Sequence, residues 1–458
     1  LIMSFLSDVY SRLKNVKRGM LVFFGSASVL FAMPGESYAQ SGKTWSLRAC
    51  IEHAREHNIQ VAYTRVALEN TRVELARGRA QRLPSLDFSS TQGWGHQKKA
   101  GANGDMKSSS AYTGNYSLNG NMVLYQGGKL SRSVQQQELA EKAMMQDMMV
   151  AQNDIEIAVT RAYLQVLYAN EMLKTDRQTL ESSEAQLART REFQKAGSVS
   201  ASDLAQMEAQ YSSDRYRVVQ AENDLALSKL QLKQLLELEP EESFEVFFPE
   251  LDEEDVIVVI PRLEDVYREA LEQMPEMKSS QVNVEASVLG EKIAKGDYLP
   301  GVSLSASVST GHDSKGRGSY FSQMDDRLVE NVGLNISIPI SNRKQARLNV
   351  SRAKLQTEQA RLDERNTRKD LLQTVESLHQ DVVAARSRYS AAVQRVKFAG
   401  ESYRQVQAEF AAGMKSAVDL LVEKNNYLSA LQEQIQAKYQ AVLAFKLLNF
   451  YRNEPIDI

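Results

Sequence analysis

One cysteine, five histidines and nine prolines are few for 458 residues, and each scarcity removes a class of explanation. The lone Cys50 permits no intrachain disulfide and no cysteine metal cluster; it reads as a buried structural thiol. The histidines (His53, His57, His96, His312, His379) are scattered. His53 and His57 share a helix face at a spacing of four, but no His-Glu-x-x-His pattern surrounds them, so a solvated face is the better reading. No nucleophile elbow or dinucleotide fingerprint occurs. Gly42-Lys43-Thr44 resembles the end of a phosphate loop, yet Ser37 stands where its first glycine belongs. The sequence therefore predicts no enzyme, no catalytic residue, no cofactor and no metal. A formal charge of −3 argues against a nucleic-acid partner. After residue 40 no run approaches the roughly 20 apolar residues that a spanning helix needs. Proline is missing between Pro84 and Pro240 and between Pro339 and Pro455, which leaves two long stretches free to be uninterrupted helix.

The first forty residues differ from the rest. Arg12, Lys14, Lys17 and Arg18 precede an apolar run from Met20 to Met33, and Ser37-Tyr38-Ala39 resembles a small-x-small cleavage site. Residues 1–39 are read as a secretory signal peptide. Beyond it the chain aligns with itself at an offset of 216 residues: Leu83-Pro84 with Leu299-Pro300, Val159 with Val375, Ala196-Gly197 with Ala412-Gly413, Asp203-Leu204 with Asp419-Leu420. Glycine and proline matches weigh most, since each marks a special backbone geometry. The predicted organisation is a first repeat over 40–240, a connector over 241–260 and a second repeat over 261–458. From Gln234 to Pro261 there are ten acidic residues and no basic ones, a solvated link between the copies.

Each copy reads as helix, strand, strand, helix, helix. Residues 45–80 and 261–296 carry helical spacing and end before a Leu-Pro pair. The period then becomes two: Leu86, Phe88 and Trp94 share one side of a strand, as do Tyr116, Leu118, Met122 and Leu124. In the second copy Val302, Leu304 and Val308, then Val332, Leu334 and Ile336, alternate with serine, glycine or asparagine. Alternation over about ten residues suits membrane-barrel strands, although a soluble sheet with one buried face has the same pattern. Strands are expected near 86–95, 116–125, 302–310 and 332–340, with loops 96–112 and 311–328 outside the cell. Residues 129–195 would form a helix of about 100 Å, with a seam at Met148, Ala151, Ile155, Ala158 and Ala162. Val159, Tyr163 and Val166 make a second, offset stripe, as a helix with a neighbour on each side requires.

Four strands cannot close a membrane barrel, since known single-chain ones use about eight or more. An unpaired edge in lipid would cost several kcal/mol per backbone group. If the strands enter a bilayer, several chains must contribute four each. The rival from another class is a secreted or periplasmic coiled-coil structural protein, which would need the helices but not the paired strands.

These residues resemble the TolC-type outer-membrane efflux proteins over nearly the whole mature chain: both Leu-Pro entries, both strand pairs, and both Gly-x-x-Ser-x-x-Asp-Leu tips, Gly197/Asp203 and Gly413/Asp419. The resemblance implies a mixed, mainly α fold: a trimeric 12-stranded outer-membrane β-barrel, to which each chain adds four strands, above a long periplasmic α-helical barrel. It implies a homotrimer in contact with outer-membrane lipid, acting as a passive exit duct with a periplasmic adaptor protein and an inner-membrane transporter of the resistance-nodulation (RND) or ABC type. It also implies a periplasmic gate in which Lys415 pairs with Asp203, with Ser202 adjacent, Phe410 where the family has an assisting tyrosine, and Asp419 forming an acidic ring. Apart from any gate, Ser200 and Ser416 are spaced to cap helices, with Asp203 and Asp419 in the first turn. Two departures stand out. Tyr125-Gln126-Gly127-Gly128 is glycine-rich where Ser341-Asn342-Arg343-Lys344 is not, and Val422 occupies a position that is often acidic in the family.

Overall fold

The computed structural model describes residues 44–100, 105–249, 251, 256 and 259–457; the predicted signal peptide lies outside them. Both stretches expected as single helices are broken once. Helix α1 (Leu47–His57) stops at Asn58, whose extended backbone and side-chain oxygen, accepting the Gln60 amide at 2.9 Å, start α2 (Ile59–Ala80). Likewise α5 (Leu263–Gln273) stops at the extended Met274, and α6 (Pro275–Lys295) begins with proline at its first position, where a missing N–H costs nothing. Periodicity alone does not reveal such a break, because the apolar stripe runs on through it.

Two 67-residue helices, α3 (Lys129–Lys195) and α8 (Gln345–Ala411), dominate the molecule. Each folds back through a short tip onto a partner, α4 (Ala201–Leu235) and α9 (Ala417–Phe450). Beside their other ends the short helices intervene, so that α2, α3, α6 and α8 lie side by side in that order. Val61, Leu68 and Leu75 recur at sevens as the buried edge of α2, and Arg72–Glu141 and Arg79–Glu138 tie it to α3. The main core sits midway along the long helices. Strands β1 (Thr44–Trp45) and β4 (Glu245–Val246) pair in parallel there, and the buried Tyr163 donates its hydroxyl to the Phe247 carbonyl at 2.6 Å. Cys50 is fully buried in the same core, and burial pushes its thiol up to about 12.

Above the helices stands one antiparallel sheet in the order β2 (Ser85–Ala100), β3 (Met106–Gln126), β5 (Gly301–Asp313), β6 (Val329–Ser337). The first hairpin is longer than expected and takes most of the predicted loop 96–112 into its ladder, with His96 opposite Ser110 and Gln97 opposite Ser109. Backbone pairing continues there while polar side chains occupy both faces, so no alternation signals it. The second loop is also more ordered than expected: β5 runs to Asp313, and α7 (Tyr320–Asp326) forms behind the Ser319 cap. Strand β6 ends at Ser337, short of the expected 340, because Pro339 has no N–H for a ladder. A bulge at Leu124 shifts the register, so that Tyr125 and not Leu124 pairs with Val302.

The two sheet-to-helix corners differ in sequence but share a backbone. Gly127 and Gly128 have φ of 60° and 72°; Arg343 and Lys344 have φ of 54° and 65°. Glycine is required at 127, since a Cβ there would stand 2.5 Å from the Gly296 carbonyl oxygen. Arg343 and Lys344 are exposed and carry only the torsional cost, about 1–2 kcal/mol per residue.

Candidate functional site: an apolar sheet and two helical tips

Among the described residues only the loop end of the four-stranded sheet is covered, where α7 packs on β5 and Thr310 donates to the Met324 carbonyl; the rest of both faces lies open. On one face Phe88 pairs with Leu118 and Leu118 with Val308, while Leu304 lies between Met122 and Leu334. Val332 is 76% exposed, Leu86 70% and Phe88 68%, and every residue of β6 is exposed. On the other face Ser89, Ser117 and Ser309 fall in line, as do Asn119, Ser307 and Asn331. Ser89 and Ser117 share a hydrogen bond of 2.7 Å, and Asn119 donates to Asp87. A soluble sheet buries its apolar face and wets its polar one; here the apolar face lies open, at a cost in water of about 25 cal/mol per Å². Aromatic rings, Trp94, Tyr112 and Tyr320 among them, lie toward the loop end, where a lipid headgroup region would begin. Among the described residues no helix is long and apolar enough to cross a membrane.

At the opposite end each hairpin turns in the same way. Gly197 (φ 76°) and Gly413 (φ 73°) adopt the left-handed conformation that closes a helix C-terminus. The Ser198 amide reaches back to the Phe193 carbonyl, and the Met414 amide to that of Glu409, both at 2.9 Å. The next helix starts at once. Ser200 accepts the Asp203 amide at 3.1 Å, and Ser416 accepts that of Asp419 at 3.2 Å, with Asp419 returning the contact to the Ser416 amide at 3.1 Å. The Ser416 hydroxyl and amide hold the Asp419 carboxyl below the usual carboxylate range, and Lys415 adds to the effect. Asp203 accepts the Ser200 hydroxyl at 2.7 Å, and no ion pair joins it to the exposed Lys415 within the chain. Ser202 is exposed beside it. Phe410 turns inward against a small core of Leu187, Met207, Ala417 and Leu420, which fastens the second tip to the first hairpin.

Sequence reasoning missed the strongest polar feature of the helical part. Asp214 on α4 and Lys424 on α9 are 1% and 3% exposed at the side chain and form an ion pair of 2.7 Å. The hydroxyl of Ser183 on α3 touches both. Burial alone would raise the Asp214 pKa, but hydrogen bonds from Lys424 and Ser183 and the charges of Lys424 and Arg217 outweigh it and hold the carboxyl below its usual range. The signal was present: Lys424 falls between Leu420 and Leu428 in the buried stripe of α9, and Asp214 between Met207 and Val218 in that of α4.

With this geometry in view, the likeness to known proteins has a physical meaning. The family model for outer membrane efflux proteins matches the chain twice, over residues 50–237 and 266–451. The chain belongs to the outer membrane efflux protein family. Its place is the outer membrane of a Gram-negative cell, reaching into the periplasm, and the family is one of channels. The chain is 22% identical over 415 residues to toxin and drug export protein A of Aggregatibacter actinomycetemcomitans, covering 88% of this chain and 85% of that protein. It is 24% identical over 248 residues to an uncharacterized Haemophilus influenzae protein, spanning 54% of this chain and about half (52%) of that protein. The fold superposes on the outer membrane protein VceC from Vibrio cholerae with a TM-score of 0.71 at 15% identity, covering 88% of this chain and 95% of that one.

Proposed function

We propose that copies of this efflux-family chain join head to tail into one closed tube, the passive exit duct of an efflux or type I secretion system across the periplasm and outer membrane. The observation that carries this reading is the pair of open edges. The sheet ends in β2 on one side and β6 on the other, and the helical layer ends in α2 and α8. Joining β6 of one copy to β2 of the next keeps the antiparallel order, removes every edge, and continues the alternation of short and long helices. An interface of this kind uses two different surfaces and closes as a ring. Exposed apolar residues await it: Leu348, Leu355 and Leu362 at sevens on α8, and Tyr63, Val66 and Val73 on α2.

An internal repeat supports the same join. Within the chain α3 packs on α6, where Ser279 donates to Asp147 at 2.6 Å and Gly290 lies against Gln136. Moving each residue by 216 turns this into α8 on the α2 of a neighbouring copy, with Asp363 opposite Tyr63 and Arg352 beside Glu74. We read the ring as a trimer with a 12-stranded barrel, fed by a periplasmic adaptor and an inner-membrane RND or ABC transporter; the resemblance to the efflux family supports this reading. At the tips Lys415 of one copy meets Asp203 of another, and Asp419 repeats as an acidic ring. The mass of the detergent-purified assembly should be three chains, and it should conduct in planar bilayers; a stable monomer that still inserts would overturn the reading. Lys415→Ala with Asp203→Ala should raise single-channel conductance, and Asp419→Ala should reduce cation preference.

A further inference from the structure

Helix α7 (Tyr320–Asp326) has seven residues, too few to hold together in water by itself. It is fastened to the sheet instead. Ser319 caps it, accepting the Ser322 amide at 3.3 Å, and the buried Gln323 accepts the Asp313 amide at 2.9 Å. Thr310 donates its hydroxyl to the Met324 carbonyl, and Tyr320 donates its own to the Tyr116 hydroxyl at 3.1 Å. These contacts fix the side of the sheet on which the helix lies. Thr310 is paired with Tyr116, and Val308 with Leu118 two residues along, so all four share one face. Helix α7 therefore rests on the apolar face, and not on the serine and asparagine face. Its hydrogen bonds go to the inner strands β3 and β5, which leaves the β2 and β6 edges free for the join between copies.

The apolar face changes character at that level. On this face β5 places Val302, Leu304, Ala306 and Val308, then Thr310 and His312, while β2 sets Ser90 opposite Tyr116 and Gln92 opposite Gly114. A tilted strand crosses the hydrocarbon core with about nine to eleven residues, so a band that begins at Val302 ends near His312. Its uppermost rows would turn polar side chains toward lipid. Helix α7 covers those of β5. The Tyr320 ring lies 4.7 Å from that of His312, with Tyr112 at 5.5 Å and Tyr116 at 6.0 Å, and His312 Nδ1 is buried with no hydrogen-bond partner among the described residues. Beside it Phe321 is 80% exposed, its ring 5.3 Å from that of Tyr320. The charges stand apart from these rings: Asp325 and Asp326 end the helix, Arg317 and Arg327 flank it, and all four are exposed. Aromatic rings beside charged flanks suit the boundary between acyl chains and headgroups, where an exposed phenylalanine is favourable instead of costly. We propose that α7 is seated on the lipid side of the sheet at that boundary, where it covers the polar end of the lipid-facing surface and presents Phe321 to lipid. This rests on the reading of the apolar face as the lipid face. Part of loop 311–328 is then a membrane-seated element and not a segment held in the water outside the cell.

The test places a tryptophan at the proposed contact. Phe321→Trp, in the full chain, is reconstituted into phosphatidylcholine bilayers whose acyl chains carry bromine, a contact quencher, either near the headgroups or near the midplane. The added emission is the difference from the unmodified protein, since Trp45 and Trp94 are present in both. It should be quenched strongly by bromine near the headgroups and weakly by bromine near the midplane. Quenching by aqueous iodide with no effect of bromine would overturn the proposal, as would stronger quenching from the midplane. Val332→Trp, at mid-band on β6, is read in the same bilayers and should be quenched most by bromine near the midplane. Phe321 and Val332 are both exposed within the chain, so neither replacement disturbs its packing. The two readings fail separately: no bromine quenching at Phe321→Trp sinks the seat of α7, and none at Val332→Trp sinks the lipid face beneath it.

Discussion

The middle of helix α3 and its stretch toward the tip bury different chemistry. At mid-length the hidden face is mainly apolar, with Ile155, Val159, Tyr163, Leu164 and Val166 in one large core with α1, α5 and α9, beside the buried Glu156 and Thr160. Toward the tip it is mainly polar, with Asp176, Thr179, Ser183 and Thr190 alongside Leu173 and Leu187. Thr179 and Thr190 return their hydroxyls to their own helix, to the carbonyls of Thr175 and Gln186 at 2.9 Å, so they are satisfied without holding a neighbour. Packing is therefore strong and unspecific at mid-length, and weak but specific toward the tip. In the proposed tube, which stays sealed through its middle and changes shape at its entrance, this division has a use. It also explains why a costly ion pair stands in the distal seam: where apolar area is small, register has to come from charge.

The largest effect should come from the proximal core. Leu232→Ala, at a fully buried position, should destabilise the purified protein by about 2–5 kcal/mol in denaturant titration. Thr179→Val in the distal seam should shift it by less than about 1 kcal/mol, since one local hydrogen bond is exchanged for apolar contact. Equal losses at the two sites would break the comparison. Hydrogen exchange should sharpen it, with amides of 176–195 exchanging faster than those of 151–170. An intermediate gain is expected at the corner above α8, where Arg343→Gly or Lys344→Gly should each stabilise by about 1 kcal/mol by relieving positive φ in a non-glycine residue. Thermal melts of the two variants check this, and no gain would mean that the side chains make contacts worth more than the torsion.

The smallest effect concerns the cap at Asp419. Its folded pKa is depressed, so the cap's contribution is complete above the ordinary aspartate value, about 3.9, and is lost as pH falls through the depressed value. Exchange of the first-turn amides of α9 should accelerate in that acid window. Asp419→Asn should remove the pH dependence there, and an unchanged profile in that variant would assign the titration to another group.

Much of this fold could be read from the residues, and its omissions have physical causes. The absence of proline and the heptad spacing marked the long helix from Lys129 to Lys195. Alternation located all four strands where one face is apolar, and failed beyond His96, where the ladder continues with polar residues on both faces. The break at Asn58 was hidden because the apolar stripe passes through it, whereas the one at Met274 was marked by Pro275, a signal that the stripe outweighed in the reading. At the tips, glycine and the serine spacing carried the local geometry, since both act through the nearest few residues. The Asp214–Lys424 pair lies 210 residues apart in sequence, and only a charge in an apolar stripe hinted at it.

In the proposed tube the open apolar face of the sheet meets lipid while its serine and asparagine face lines water. Nitroxide scanning of β6 from Val329 to Ser337 in reconstituted bilayers tests it most directly, comparing collision with oxygen, which concentrates in lipid, and with a water-soluble nickel chelate. Strict alternation is expected, with Val332, Leu334 and Ile336 accessible to oxygen and Asn331, Gly333 and Asn335 to the chelate. Chelate access along every position, or no period of two, would contradict the account.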